Sequence, residues 1–190
     1  MANTNAPYGF RPLRHRMGGV IRPSKYRIAS ASATAIYRGD PVKLLGTGYI
    51  DLAAAGNRIL GIFAGCNYVK SNGDVVFTPY WPAAEATLGS ADVEALVYDD
   101  PNITYSVQSG VASPALADIG ALGDHVAGTG SAVTGNSGAY LSGTIGTGTA
   151  GFRILDFVNK PDNEIAQYAD VEVQLFESEL AYHGQGTIGV

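Results

Sequence analysis

An all-β fold is what this sequence predicts: a β-barrel or β-sandwich of about nine short strands, with one short helix and an extended N-terminal arm. Three observations predict it. Short apolar runs recur along most of the chain, separated at regular intervals by turn residues. Two of these runs alternate strictly: Ile103, Tyr105 and Val107 with Thr104, Ser106 and Gln108, and Val171, Val173 and Leu175 with their polar neighbours. In addition, Asn72-Gly73 sits between two apolar runs in NYVKSNGDVVFTPY and supplies the turn chemistry of a tight hairpin.

Taken in order, residues 1–34 come first and carry no strand or helix period. Pro7, Pro12 and Pro23 interrupt them, which predicts an extended basic arm preceding a single β-rich domain over 35–190. Strand-like runs then follow: PVKLL, GYIDLA, RILGIFAGCNYV, DVVFTPYW, VEALVYDD, ITYSVQSG, AYLSGTIG, GFRILDFV and YADVEVQLFES. Turns are expected at Gly39-Asp40-Pro41, Asp99-Asp100-Pro101-Asn102 and Lys160-Pro161-Asp162-Asn163. The helix signal is Ser113 as N-cap, Pro114 at the first helical position and ALADIGAL before Gly123. Residues 128–151 contain no charge and are dominated by glycine, serine and threonine, so they read as loops around one weak strand.

Composition narrows the function classes. A chain of 190 residues is long enough for one domain burying roughly 70% of its unfolded surface. The single cysteine, Cys66, excludes an intramolecular disulfide and reads as a buried thiol; the three histidines form no zinc set. Neither a secretory apolar run nor an apolar stretch of about 20 residues is present, so synthesis in a cytoplasm-like compartment and no membrane partner are expected.

Catalytic readings find little support. The glycine-rich stretch lacks the lysine of a phosphate loop, since none lies between Lys70 and Lys160. Asp99 and Asp100 are adjacent and would face opposite sides of a strand, which suits a turn better than an acid and base pair. His15, His125 and His183 stand at no recognisable spacing from a nucleophile. No enzyme activity, cofactor or metal is therefore expected. Arg38-Gly39-Asp40 spells an integrin-type tripeptide but precedes Pro41 and a strand, and reads as a turn. Tyr80 and Trp81 lie between two prolines; Trp81 is either a core aromatic or an interface anchor, and on the second reading the pair would serve a partner or a sugar.

Charge is distributed unevenly. The formal net charge is -5, yet Arg11, Arg14, Arg16, Arg22, Lys25, Arg27, Arg38 and Lys43 fall in the first 45 residues against one acid, Asp40. Such a cluster, with Tyr8, Phe10 and Tyr26 interleaved, has a nucleic-acid reading, but the acidic remainder would repel a duplex. An extended segment lying on a neighbouring protein fits better. Tyr8 and Phe10 would fill apolar pockets, while Arg11, Arg14, Arg16, Arg22, Lys25 and Arg27 pair with carboxylates.

Read in order, NAPYGFRP, GDPVKL, ILGIFAG, VYDDPNITYSVQ and GNSGAYL make nearly the whole chain resemble a family of small tailed-bacteriophage virion proteins. These are encoded among the head genes and assigned as capsid decoration or cement proteins. The resemblance implies a compact β-rich protein that binds the major capsid protein on the outside of an expanded icosahedral shell, commonly as a homotrimer at three-fold positions. It would be made in the host bacterial cytoplasm and end on the virion surface, with no nucleic acid as partner and no catalytic residue. A head-completion or tail component, and a surface carbohydrate-binding β module, are the alternatives.

Overall fold

The alternating runs do become strands, and turn residues bound them. In the computed structural model, residues 3–146, 148 and 150–180 are described. Among them are β1 (Arg11–His15), β2 (Ser24–Ile28), β3 (Ile36–Tyr37), β4 (Pro41–Leu44), β5 (Ile50–Leu52), β6 (Gly61–Val69) and β7 (Val75–Thr78). The remainder are β8 (Tyr80–Trp81), β9 (Val93–Tyr98), β10 (Ile103–Gln108), β11 (Leu122–Val126), β12 (Tyr140–Gly146), β13 (Phe152–Phe157) and β14 (Asp170–Leu175).

Two antiparallel sheets form an open sandwich and not a closed barrel. The first is ordered β1-β10-β14-β13-β11-β12; the second is β2-β9-β6-β4-β5, with β7 also on β6, and β3 pairs with β8. An apolar cluster under the first sheet includes Phe10, Tyr105, Phe152, Val171 and Val173, and one under the second includes Ile28, Phe63, Trp81, Val93 and Val97. Ile62 belongs to the first cluster and its neighbour Phe63 to the second. A strand buried on both faces reads as a continuous apolar run, which is why RILGIFAGC shows no alternation.

The hairpin forms where Asn72-Gly73 predicts it, with a three-residue loop. Gly73 N–H donates to Lys70 O, Lys70 N–H donates to Asp74 O, and Gly73 has φ +95. Only the glycine takes the left-handed conformation, as a type I turn followed by a bulge requires.

Two expectations need correction. The helix expected from Ser113 is a single 3-10 turn at Leu116–Asp118. Leu116 and Ile119 are exposed, so a longer helix would have no face to bury, and Gly120 N–H already donates to Ile154 O in the sheet. The second correction concerns residues 1–34, expected to leave the body as an arm. Instead β1 pairs with β10 at the edge of one sheet and β2 pairs with β9 at the edge of the other. Truncating this segment would strip an edge strand from each sheet, so the body would not survive the deletion intact.

Candidate partner-binding surface

The N-terminal segment is fastened residue by residue. Asn3 Nδ2 donates to Glu164 O and Gln167 O, and Gln108 Nε2 donates to Thr4 O while its Oε1 accepts from Ala6 N–H. Tyr8 hydrogen-bonds Ser106 through its hydroxyl at 2.8 Å, and Arg11 lies over the Tyr8 ring, 4.8 Å from its centroid. Desolvation is the main reason that the Tyr8 phenol is pushed up to about 12.

Phe10 is 1% exposed and stacks on Phe152, ring centroids 4.3 Å apart. It fills a pocket of its own chain, not a neighbour's. Gly9 makes this entry possible: its φ is +77, and a Cβ there would lie 2.8 Å from Ser137 Cβ.

Most of the basic side chains also turn inward to their own body. Arg14 Nε donates to Glu172 at 2.7 Å, Arg16 to Gln174 at 2.6 Å, Lys25 to Glu94 at 2.9 Å and Arg27 to Asp92 at 3.3 Å. Arg22 is exposed. The expected carboxylate partners of Arg14, Lys25 and Arg27 therefore exist within the same chain, supplied by residues distant in sequence: Glu172 in β14, Glu94 in β9 and Asp92 just before it. The Lys25–Glu94 and Arg27–Asp92 pairs lie near the surface and add little stability, whereas Arg14 pairs with a buried carboxylate, Glu172.

One stretch of the segment does project. Residues 16–23 connect β1 in one sheet to β2 in the other, and they leave Met17 78% and Val20 73% exposed between Arg16 and Arg22. His15 holds this connection from beneath. Its Nδ1 accepts the backbone N–H of Met17 at 3.2 Å and of Gly19 at 2.9 Å, which makes Nε2 the protonated nitrogen, donating to Asp100 at 2.9 Å. Asp100 in turn accepts from Asn102 N–H, and Arg16 N–H donates to Asn102 O. The result is an apolar and cationic knuckle on a fixed base.

Other candidates resolve into structural roles. Trp81 is fully buried, edge-on to Tyr68 at 5.1 Å, and Tyr80 stacks on Tyr37 at 5.5 Å. With the indole inside, the pair cannot form a sugar platform. Asp40 is buried: it accepts from Tyr37 N–H at 2.8 Å and from the Ser137 hydroxyl, so the Arg38-Gly39-Asp40 stretch is the expected turn. Asp99 accepts from the Ser24 and Tyr26 hydroxyls while Asp100 serves His15, so the two carboxylates have separate partners. Cys66 is buried, and desolvation pushes its thiol up to about 12.

His125 is buried, with Nε2 on Ala53 O at 2.8 Å and Nδ1 without a partner. His15 has both ring nitrogens bonded, and His125, 2% exposed, turns its bare Nδ1 to the protein interior and not to solvent. His183 lies outside the described residues.

Sequence reasoning missed Met17 and Val20 as exposed apolar residues. The signal available was the run RMGGVIRP, in which two apolar residues flank a glycine pair between arginines, with no strand alternation to bury them. The chain matches no family model, no curated protein and no solved structure.

Proposed function

We propose that this chain is a non-enzymatic structural protein of a tailed-bacteriophage virion, a decoration or cement protein that binds the outer surface of the expanded capsid and holds it against the pressure of packaged DNA. The observation that carries the reading is the projecting connection between β1 and β2. Met17 and Val20 stand exposed between Arg16 and Arg22, on a loop already clamped by His15 and Asp100. A clamped loop loses little conformational freedom when it docks, and its apolar centre with a cationic rim suits an acidic protein surface.

Two further features support it. Both His15 ring nitrogens are bonded within the chain and His125 is buried, which favours a binding role over a catalytic one. The resemblance of NAPYGFRP, GDPVKL, ILGIFAG, VYDDPNITYSVQ and GNSGAYL to decoration proteins is the second support.

The mechanism follows from linkage. A protein that binds only the expanded lattice shifts the shell toward that state by its binding free energy, and many symmetric copies multiply a modest contact into a large total. The homotrimer implied by the resemblance belongs to this reading, as does the major capsid protein as partner.

The test is co-sedimentation with expanded and unexpanded phage heads. Intact protein is expected to cover expanded heads in many copies and to spare unexpanded ones. Met17→Ser with Val20→Ser, and Arg16→Glu with Arg22→Glu, should weaken binding while the folded body persists. Absence of binding to either head would overturn the reading, and a few copies confined to one vertex would replace it with a head-completion or tail role.

A further inference from the structure

The hairpin of β6 and β7 ends the second sheet with an unusual edge. Val75 is 81% and Phe77 74% exposed, whereas Val76 packs against the second cluster. Among the described residues no strand other than β6 pairs with β7.

The hydrogen-bond phase decides which backbone groups are open. Lys70 N–H bonds Asp74 O, and the register then sets Val75 opposite Val69, Val76 opposite Tyr68 and Phe77 opposite Asn67. Antiparallel pairs alternate between bonded and non-bonded, so Val76 bonds to β6 while Val75 and Phe77 point their N–H and C=O outward. An edge of this kind, with neither charge nor proline inside the strand, is a template for another strand.

We propose that this edge is a self-association surface, on which a second copy of this chain adds its own β7 in antiparallel register about a two-fold axis through Val76. Only that register uses all the open groups: Val75 of one copy bonds Phe77 of the other and the reverse, making four backbone hydrogen bonds. Shifting by one step either way would set Val75 against its own counterpart or set Val75 against Pro79, which has no N–H to give.

Side chains agree with the backbone. The register places each exposed Val75 beside an exposed Phe77, an aromatic and β-branched cross-strand pair. Charge disfavours three of the other edges: self-pairing of β1 would bring arginines together, self-pairing of β2 would do the same with Lys25 and Arg27, and β5 carries Asp51. The uncharged edge β12 is already bonded by its own chain, since Gly110 N–H donates to Leu141 O, and it carries Gly143 and Gly146, which weaken a strand. In the β7 register Asp74 faces Thr78, a hydroxyl, and no like charges meet.

The surface is independent of the capsid reading, since it is tested on free protein. A dyad joins copies in pairs; it would link two trimers and not close one.

Sedimentation equilibrium of the intact protein over a concentration series tests it. The contact is small, so a reversible dimer with a dissociation constant of about micromolar or weaker is expected. Val75→Lys and Phe77→Glu singly should each weaken it by roughly tenfold or more. The double variant should regain dimerisation, because the register sets each introduced lysine beside an introduced glutamate of the other copy. Both side chains are exposed, so in dilute, monomeric protein the melting curve of every variant should match that of the parent. A parent that stays monomeric throughout the series, single variants that associate undiminished, or a double variant no better than the singles would each overturn the proposal.

Discussion

The N-terminal segment and the β7 edge carry opposite sequence characters and meet opposite fates. Residues 3–28 are rich in arginine and proline and read as a free arm, yet they are stitched into both sheets, with Phe10 at 1% exposure. β7 is a run of mostly apolar residues, yet Phe77 is 74% exposed. Two phenylalanines in one chain thus occupy the extremes of burial. Residue type states what a side chain would favour; which strand arrives beside it decides what it obtains.

Several measurements would break or sharpen that contrast. The largest effect is expected at Phe10: Phe10→Ala should cost about 3 kcal/mol or more in chemical denaturation, because it empties a stacked core site. A loss near zero would restore the picture of a detachable arm. Gly9→Ala comes next, at roughly 1–3 kcal/mol, since the left-handed backbone and the crowding by Ser137 oppose a side chain.

Acid should loosen the same docking site. His125 packs edge-on to Phe152, which stacks on Phe10. Burial, its main cause, lowers the His125 imidazole below its ordinary 6.5. The unfolded chain therefore takes up the proton first, and stability present above pH 6.5 is lost as the pH falls below it, by about 1 kcal/mol per pH unit. Asp40 acts in the opposite sense lower in pH: burial raises its carboxyl above 3.8, so its protonated folded form gains relative stability as the pH falls toward that value. Denaturation at pH 7.5 and 5.5, with and without His125→Gln, checks the histidine part; an equal pH slope in both chains would exclude it. The smallest effect is expected at the other end of the comparison, where Phe77→Ser should change the stability of dilute protein by no more than about 0.5 kcal/mol.

Much of the fold is legible in the chain because its causes are local. Alternation marked β10 and β14, Asn72-Gly73 marked the hairpin, and the Pro-bounded turns at 39–41 and 99–102 fall where their residues place them. The helix signal from Ser113 was equally local and misled, because a 3-10 turn with no buried face gave way to sheet pairing by Gly120 and Ala121. The candidate surface was half legible: Arg16 and Arg22 stood out by charge, whereas Met17, Val20 and the His15 clamp did not. The clamp needs Asp100, which lies 85 positions away in sequence.

By itself, then, the sequence determined strand character, turn positions and the asymmetry of charge, all set by each residue and its near neighbours. Only the tertiary structure decided that Arg14, Lys25 and Arg27 face carboxylates of their own chain, that Trp81 and Phe10 lie inside, and that Val75 and Phe77 lie outside. The physical reason is that strand pairing is non-local. A row of backbone donors and acceptors accepts any strand of suitable register, and the order in which strands meet fixes which side chains are covered and which are left for a partner.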